Sequence, residues 1–336
     1  MKKHRLGLKN FLAHGSNEEC RKLDKDLLVE RLRKFEVASV IGELAALGAA
    51  LSWVFSSVLY KKALFKASPL QANLIRLVST SMFLLTVLIA TKKIANLDLQ
   101  FSVILTAGLS GVIGLVLGDV LYMYSLKSVG VSKAVPLSCT YPLFNILIAV
   151  FLKGETVGFS IVLGAICIMA GTWMVSRQGN NRVEVSGGKF LVRGLAAALF
   201  TAVMWSVSIS LMNVAVASPE TSNIDGAFVV NAIRVFAASI VLFSACSISN
   251  RHLTFLKAPW KTWLILACGG VISLAIGWFF LTFSFLHIQE SRAVPISSTT
   301  PLFSSIAGVT FLKEPVTSWV IIGSVFIVVG IFFLFI

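Results

Sequence analysis

The stretch AVPLSCTYPLF (134–144) decides how this chain is read, because a near copy, AVPISSTTPLF, returns at 293–303. Eight of the eleven positions are identical, both prolines among them. Each copy lies inside an apolar run. A proline in a helix interior removes a backbone hydrogen bond and clashes with the carbonyl one turn back. A Pro-x5-Pro pattern written twice into such runs therefore points to two related, interrupted helices. The same offset, 159 residues from 134 to 293, holds beyond the motif: Gly118 maps to Gly277, Ser125 to Ser284, Lys133 to Arg292, Glu155 to Glu314, and Gly164 and Gly171 to Gly323 and Gly330. With small gaps, Trp53 maps to Trp205, and Asn73-x-x-Arg76 to Asn231-x-x-Arg234. One unit is written twice, over 41–176 and 189–336, joined by a polar, Gly-containing linker at 177–188.

Composition says where such a unit folds. The 336 residues are 57% hydrophobic and 13% charged, against roughly 45–50% and about 25% in soluble domains. Apolar runs of about 20 residues can span a bilayer. Ten are legible, near 42–60, 70–91, 101–125, 132–152, 157–175, 190–213, 227–248, 261–285, 292–312 and 317–336. Only helices and closed barrels satisfy their backbone in lipid, and barrel strands alternate in hydropathy. SWVFSSVLY (52–60) and FIVVGIFFLFI (326–336) do not alternate. The expected fold is thus an all-α integral membrane protein of ten transmembrane helices. Five per half is an odd number, so the second half must enter the membrane in the opposite sense to the first. Inverted repeats of this kind recur among secondary transporters, with the solute site near the midplane at the repeat interface.

The formal net charge is +14, and ten of the Lys and Arg fall in residues 1–36, ahead of the repeats. No aromatic platform or folded basic module accompanies them, which argues against nucleic-acid binding. A basic cytoplasmic tail (1–40) beside anionic lipid is expected. Leu23, Leu27, Leu28, Leu32 and Phe35 fall near helical spacing, as in an amphipathic surface helix, with a solvated tail as the alternative. The tail lacks the apolar core and cleavage site of a signal peptide. The five cysteines form no C-x-x-C pair, and the four histidines show no metal-ligand spacing; no cofactor is expected.

The repeated proline segment is followed by FLKGETV (151–157) in the first half and FLKEPV (311–316) in the second, and then by a Gly-rich closing helix. In this the chain resembles EamA-type members of the drug/metabolite transporter superfamily over both halves. The resemblance implies a ten-helix carrier of small organic solutes (metabolites, amino acids or drugs) with both termini cytoplasmic. With the N-terminus inside, fourteen positive residues lie on the inner side and thirteen on the outer, so the positive-inside rule does not itself choose. The tail and the resemblance place the N-terminus inside and the chain in the plasma membrane as a multi-pass protein.

Candidate pathway residues follow from polar or helix-breaking groups inside apolar spans. Pro136 and Pro295 fall near helix starts, where a missing N–H is harmless. Pro142 and Pro301 fall about two turns further in, where each frees a carbonyl. Ser138, Thr140, Ser297 and Thr299 stand ready to satisfy those groups beside a wet cavity, a packing kink being the alternative. Arg76 and Arg234, each with its asparagine (Asn73, Asn231), lie well inside their spans, where a charge costs roughly 2.5–3.5 kcal/mol or more. They suit an anionic group on a solute, or snorkel to an interface. Asp119 is the acidic residue deep in the third span and maps to Trp278; Tyr122 shares its helical face. It is placed to meet solute, to carry a coupling proton, or to pair with Arg76. Trp53, Trp205 and Trp278 suit stacking on flat solute groups, or packing. Glu155 and Glu314 are expected to cap the next helix.

These features predict a secondary-active carrier working by alternating access, with a small organic solute, the bilayer and a proton as partners. A membrane enzyme is the first alternative, against which stands the lack of clustered His, paired carboxylates or a nucleophile elbow. A channel or structural membrane protein is the second. No G-x-x-x-x-G-K-[ST] motif supplies ATP drive.

Overall fold

The structure, a computed structural model, describes residues 37–56, 59, 69–92, 99–129, 134, 137–176, 188–248, 259–303, 306, 310 and 317–335. The tail as far as residue 36, the linker over 177–187, Glu314 and Pro136 lie outside the described residues. The chain divides into two compact units, Met1–Ile41 and Gly42–Ile336. Residues 37–41 of the first are helical; the second carries both halves of the repeat.

Regular structure among the described residues is helical. Helix α1 is Val37–Ser56 and α2 is Pro69–Thr91. Helix α3 (Phe101–Gly111) continues through a π-helical stretch, Val112–Gly118, into α4 (Asp119–Val129). Then come α5 (Tyr141–Lys153), α6 (Phe159–Ser176), α7 (Gly188–Val216) and α8 (Ile224–Ile248). Helix α9 (Trp260–Gly270) again passes through a π-helical stretch, Val271–Gly277, into α10 (Trp278–Ser284). The short α11 (Glu290–Ser297) and α12 (Ser318–Phe335) complete the set. Among the described residues, six stretches are long and apolar enough to cross a membrane, and Tyr141–Lys153, Phe159–Val175 and Ser318–Leu334 are shorter apolar helices. The outer surface carries large apolar side chains that a protein in water would bury, and the mainly apolar interior also holds polar and charged groups. Phe55, Ile89, Phe151, Phe159, Ile240 and Phe332 are exposed, whereas Asn73, Asn145, Asn231, Arg234 and Glu290 are buried. Polar groups turned inward and large apolar groups turned outward are what a lipid surround demands.

The two halves meet through equivalent residues. A Cβ on Gly164 would come within 2.7 Å of the Gly330 carbonyl oxygen, and one on Gly323 within 2.6 Å of that of Gly171. Numbering rises along one helix as it falls along the other, so the two closing helices, α6 and α12, are antiparallel. The operation that relates the halves therefore reverses helix direction. Ser81 and Ser239, equivalent positions on α2 and α8, share a 2.6 Å hydrogen bond across that axis. Glycine at these positions lets backbones approach to a distance that any side chain would prevent.

Each third span also packs antiparallel on the other half's first. Ser110 meets Ser208, Thr201 Oγ1 donates to the Gly118 carbonyl at 3.4 Å, and Gly194 lies against Val129. In the equivalent place, Gly277 abuts Trp53, Gly48 abuts Phe280 and Gly42 abuts His287. The π-helical stretches are themselves equivalents. Asn73 Nδ2 donates to the Leu115 carbonyl at 3.2 Å, and Asn231 Nδ2 to those of Leu274 and Ala275 at 2.9 and 3.1 Å. A π-turn disturbs the regular hydrogen-bond ladder, and in each half the buried amide ties to carbonyls of the disturbed stretch.

The proline segments correct the expectation of kinks two turns into continuous helices. The fourth span breaks at Cys139 and Thr140 and restarts at Tyr141, so Pro142 sits in the first turn of α5, where its missing N–H costs nothing. In the second half the break falls at the equivalent Ser298 and Thr299; Pro295 lies inside α11, and Pro301 follows the break. Hydroxyls cover the carbonyls around both breaks. Ser138 Oγ donates to Ala134, Thr140 Oγ1 to Leu137, Ser297 Oγ to Val294, Ser298 Oγ to Pro295 and Thr299 Oγ1 to Ile296, at 2.6–3.0 Å.

Helix α5 ends on Gly154 at φ +67°, with Glu155 N–H donating to the Ala149 carbonyl at 3.0 Å. That left-handed cap turns Glu155 away from α6 and toward the other half, where its Oε2 accepts from Ser291 N–H of α11 at 3.2 Å. The expectation that Glu155 caps the helix following it is corrected accordingly. Because an L side chain at positive φ costs about 1–2 kcal/mol, Gly154→Val is expected to lower thermal stability by about that amount. A melting curve in detergent reads it; an unchanged curve would show that the cap is dispensable.

Candidate functional site

The candidate residues sort into three groups. The first surrounds Asp119, at the start of α4. Trp205 of α7 donates its indole Nε1–H to Asp119 Oδ1 at 3.2 Å, and both Arg76 and Arg234 lie within electrostatic reach of the carboxylate. Trp205 is held on Gly118, where a Cβ would come within 2.7 Å of its ring. Tyr122 packs on the Trp205 ring at 5.2 Å between centroids, and Tyr141 meets it edge-on at 6.0 Å. The result is a carboxylate beside three aromatic rings drawn from both halves.

The second group surrounds Arg234. Its guanidinium is fully buried, which excludes snorkelling, and lies 4.2 Å from the centroid of the Trp278 ring. Nε donates to Ser110 Oγ at 2.8 Å, Nη2 to Ser208 Oγ at 3.2 Å and Nη1 to Met212 Sδ at 2.8 Å. Trp53 meets the Trp278 ring edge-on at 5.3 Å. Asp119 and Trp278 are equivalent positions, so one half offers a carboxylate where the other offers a ring face under a guanidinium. Together the two groups bring ring faces, a carboxylate and a buried positive charge into the interior.

The third group carries backbone structure instead. Asn73 and Asn231 hold the π-helical stretches. Ser138, Thr140, Ser297 and Thr299 each donate to a carbonyl of their own segment, and all but Thr140 are fully buried. Arg76 is half-buried, its backbone against Gly270.

A fourth group has no counterpart in the sequence reading. Glu290, fully buried at the start of α11, accepts from Asn145 and Lys153 of α5 and from Ser210 and Asn213 of α7, the last at 2.7 Å. Two residues on, Arg292 Nη2 pairs with Glu43 Oε1 of α1 at 2.6 Å. The available signal was Asn145 and Asn213, amides inside apolar runs. Lys153 and Arg292 were counted only as charges at span ends.

Two equivalent helical halves that expose apolar side chains outward and gather buried charge, amide and indole groups where they meet define a multi-pass membrane protein built for traffic across the bilayer. The chain belongs to the EamA-like transporter family, whose description matches residues 40–177 and 192–336 and which forms part of the drug/metabolite transporter superfamily. It is similar to an uncharacterized transporter of Archaeoglobus fulgidus, 26% identical over 294 residues, covering 87% of this chain and 96% of that one. It is also similar to an uncharacterized transporter of Clostridium kluyveri, 24% identical over 265 residues, covering 78% and 82%. A solved crystal structure aligns with a TM-score of 0.69 over 88% of this chain and 98% of its own, at 20% identity, a likeness of fold alone.

Proposed function

We propose that the chain is a secondary-active carrier of small organic solutes (metabolites, amino acids or drugs), neither enzyme nor channel. It works by alternating access, with a proton as coupling ion. In this reading ten spans form two inverted five-helix repeats in the plasma membrane, with both termini cytoplasmic. One observation carries it: equivalent residues meet across the axis at Ser81 and Ser239 and along the α6–α12 glycine seam, and polar side chains of both halves converge inside. Two halves with the same packing and reversed direction can exchange roles, so a shared central site opens first to one side and then to the other. The solute binds between the Asp119–Trp205–Tyr122–Tyr141 group and the Arg234–Trp278–Trp53 group.

A thermal-shift screen of the purified protein against amino acids, sugars, nucleotides and organic cations selects a solute. Counterflow in proteoliposomes then tests the reading. Saturable uptake, accelerated by solute loaded inside, is the expected result, and flux that rises linearly with concentration would overturn it in favour of a channel. Asp119→Asn is expected to raise the half-saturation concentration about tenfold or more, since a charge-assisted hydrogen bond is worth about 1.5–3 kcal/mol. An unchanged value would remove Asp119 from the site.

A further inference from the structure

We infer that the Glu290–Lys153 ion pair closes one mouth between the halves, and that uptake of a proton by Glu290 opens it. The inference rests on the alternating-access reading. Glu290 is the first residue of α11 and has no exposed surface. Its Oε1 accepts from Asn145 Nδ2 and Ser210 Oγ, its Oε2 from Lys153 Nζ and Asn213 Nδ2. Asn145 and Lys153 belong to the first half, Ser210 and Asn213 to the second. Moving the halves apart strips the carboxylate of its counter-ion and one amide and leaves it two neutral donors from its own half. A buried charge that has lost its partner is costly. A proton taken up from the solution facing that mouth, forming an O–H bond on Glu290, removes the charge, and it returns to the same solution when the pair re-forms. Lys153, 18% exposed in the closed pair, keeps its own proton and turns to water.

The neighbouring residues act in the same place. Ser291 N–H donates to Glu155 of the first half, and Arg292 pairs with Glu43 of α1. Three consecutive residues of the second half thus each hold an ionic group of the first. Among the described residues, the charged and titratable groups around Glu290 are Lys153 and Glu155 after the first-half break, Glu43 on α1, Arg292 on its own helix and His287 in the turn before it; α7 contributes neutral donors. The equivalent of Glu290 at the offset of 159 is Val131, so the repeat does not supply a second carboxylate at that position.

The test uses the full chain in lipid nanodiscs, with its five cysteines replaced and spin labels at Thr156→Cys and Ser222→Cys. Both positions are exposed, one in each half, beside this mouth. Pulsed paramagnetic resonance reads their separation, with the proton as the probe. A short distance is expected to dominate at pH 7.5. A longer one should grow as pH falls, its ratio to the short one rising by up to about tenfold per pH unit for one linked proton. Glu290→Gln should give the long distance at both pH 7.5 and 5.5, with no pH response. The swapped pair Lys153→Glu with Glu290→Lys should restore the short distance at pH 7.5, which separates loss of the pair from misfolding. Glu43→Gln should raise the long population yet keep the pH response. A pH response that survives in Glu290→Gln would overturn the assignment and leave the carrier reading standing. One distance in every variant, with counterflow also absent, would overturn both.

Discussion

Gly323→Val is expected to destabilise the protein by about 3 kcal/mol or more and to leave little of it monodisperse in detergent. A Cβ at Gly323 would lie 2.6 Å from the Gly171 carbonyl oxygen and 2.9 Å from the Val175 backbone nitrogen. Both obstacles are main-chain atoms of an intact helix, which cannot swing aside as a side-chain tip can. Overpacking a close-packed contact costs about 1–3 kcal/mol when neighbours relax, and here α6 or α12 would have to move bodily. Gly158→Ala is the matched control, since its Cβ would meet only Ser160 Oγ at 3.6 Å. Its melting curve should stay within about 0.5 kcal/mol of the parent. A Gly323→Val protein that melts like the parent would show that the seam between the closing helices is not what joins the halves.

The same seam explains how much of the fold was legible. Duplication marks Gly164, Gly171, Gly323 and Gly330 as equivalents in the sequence alone, and the expected odd number of spans per half implies the reversal that their antiparallel contact displays. Trp53 and Trp205 were likewise visible as mates, though not that each rests on the other half's glycine. The π-helical stretches were invisible, because VIGLVLG and VISLAIG are as apolar as the α-helix on either side and their extra residue per turn leaves no mark in hydropathy. The breaks fall two to three residues ahead of Pro142 and Pro301, and the sequence did not show this for a related reason. Pro142 looks like an interruption only if the helix already runs through it, and the chain instead begins α5 at Tyr141. Asp119 stood out as a lone acid in an apolar run, and its partner Trp205 was a candidate, but their contact spans 86 residues and no local pattern encodes it. Glu290 escaped altogether. Its equivalent is Val131, its partner Lys153 is 137 residues away, and matching one half against the other finds what is symmetric and passes over what is not.

Arg234→Met is expected to leave the fold more stable than Arg234→Lys, although lysine keeps the charge. The guanidinium reaches three directions at once, to Ser110, to Ser208 and to Met212, while its face covers Trp278. A lysine ammonium is a compact, strongly hydrated point charge; in the same buried place it reaches one hydroxyl and gives up the ring contact. Stranding such a charge costs about 3–5 kcal/mol. Methionine removes the charge and fills much of the volume. Ser110 and Ser208 then still satisfy each other, because Ser110 Oγ already donates to the Ser208 carbonyl at 2.6 Å and Ser208 Oγ to the Ser110 carbonyl at 2.7 Å. The Met variant should therefore melt within about 1–2 kcal/mol of the parent, the usual size of a tolerated core change, with the Lys variant well below it. Transport separates the two roles of the residue: both variants should lose counterflow if the guanidinium fixes the Trp278 face against which solute lies. A Met variant that is folded and still transports at the parental rate would make Arg234 a brace between α3, α7 and α10 with no part in the site. A Lys variant as stable as the parent would contradict the requirement for a three-way fork.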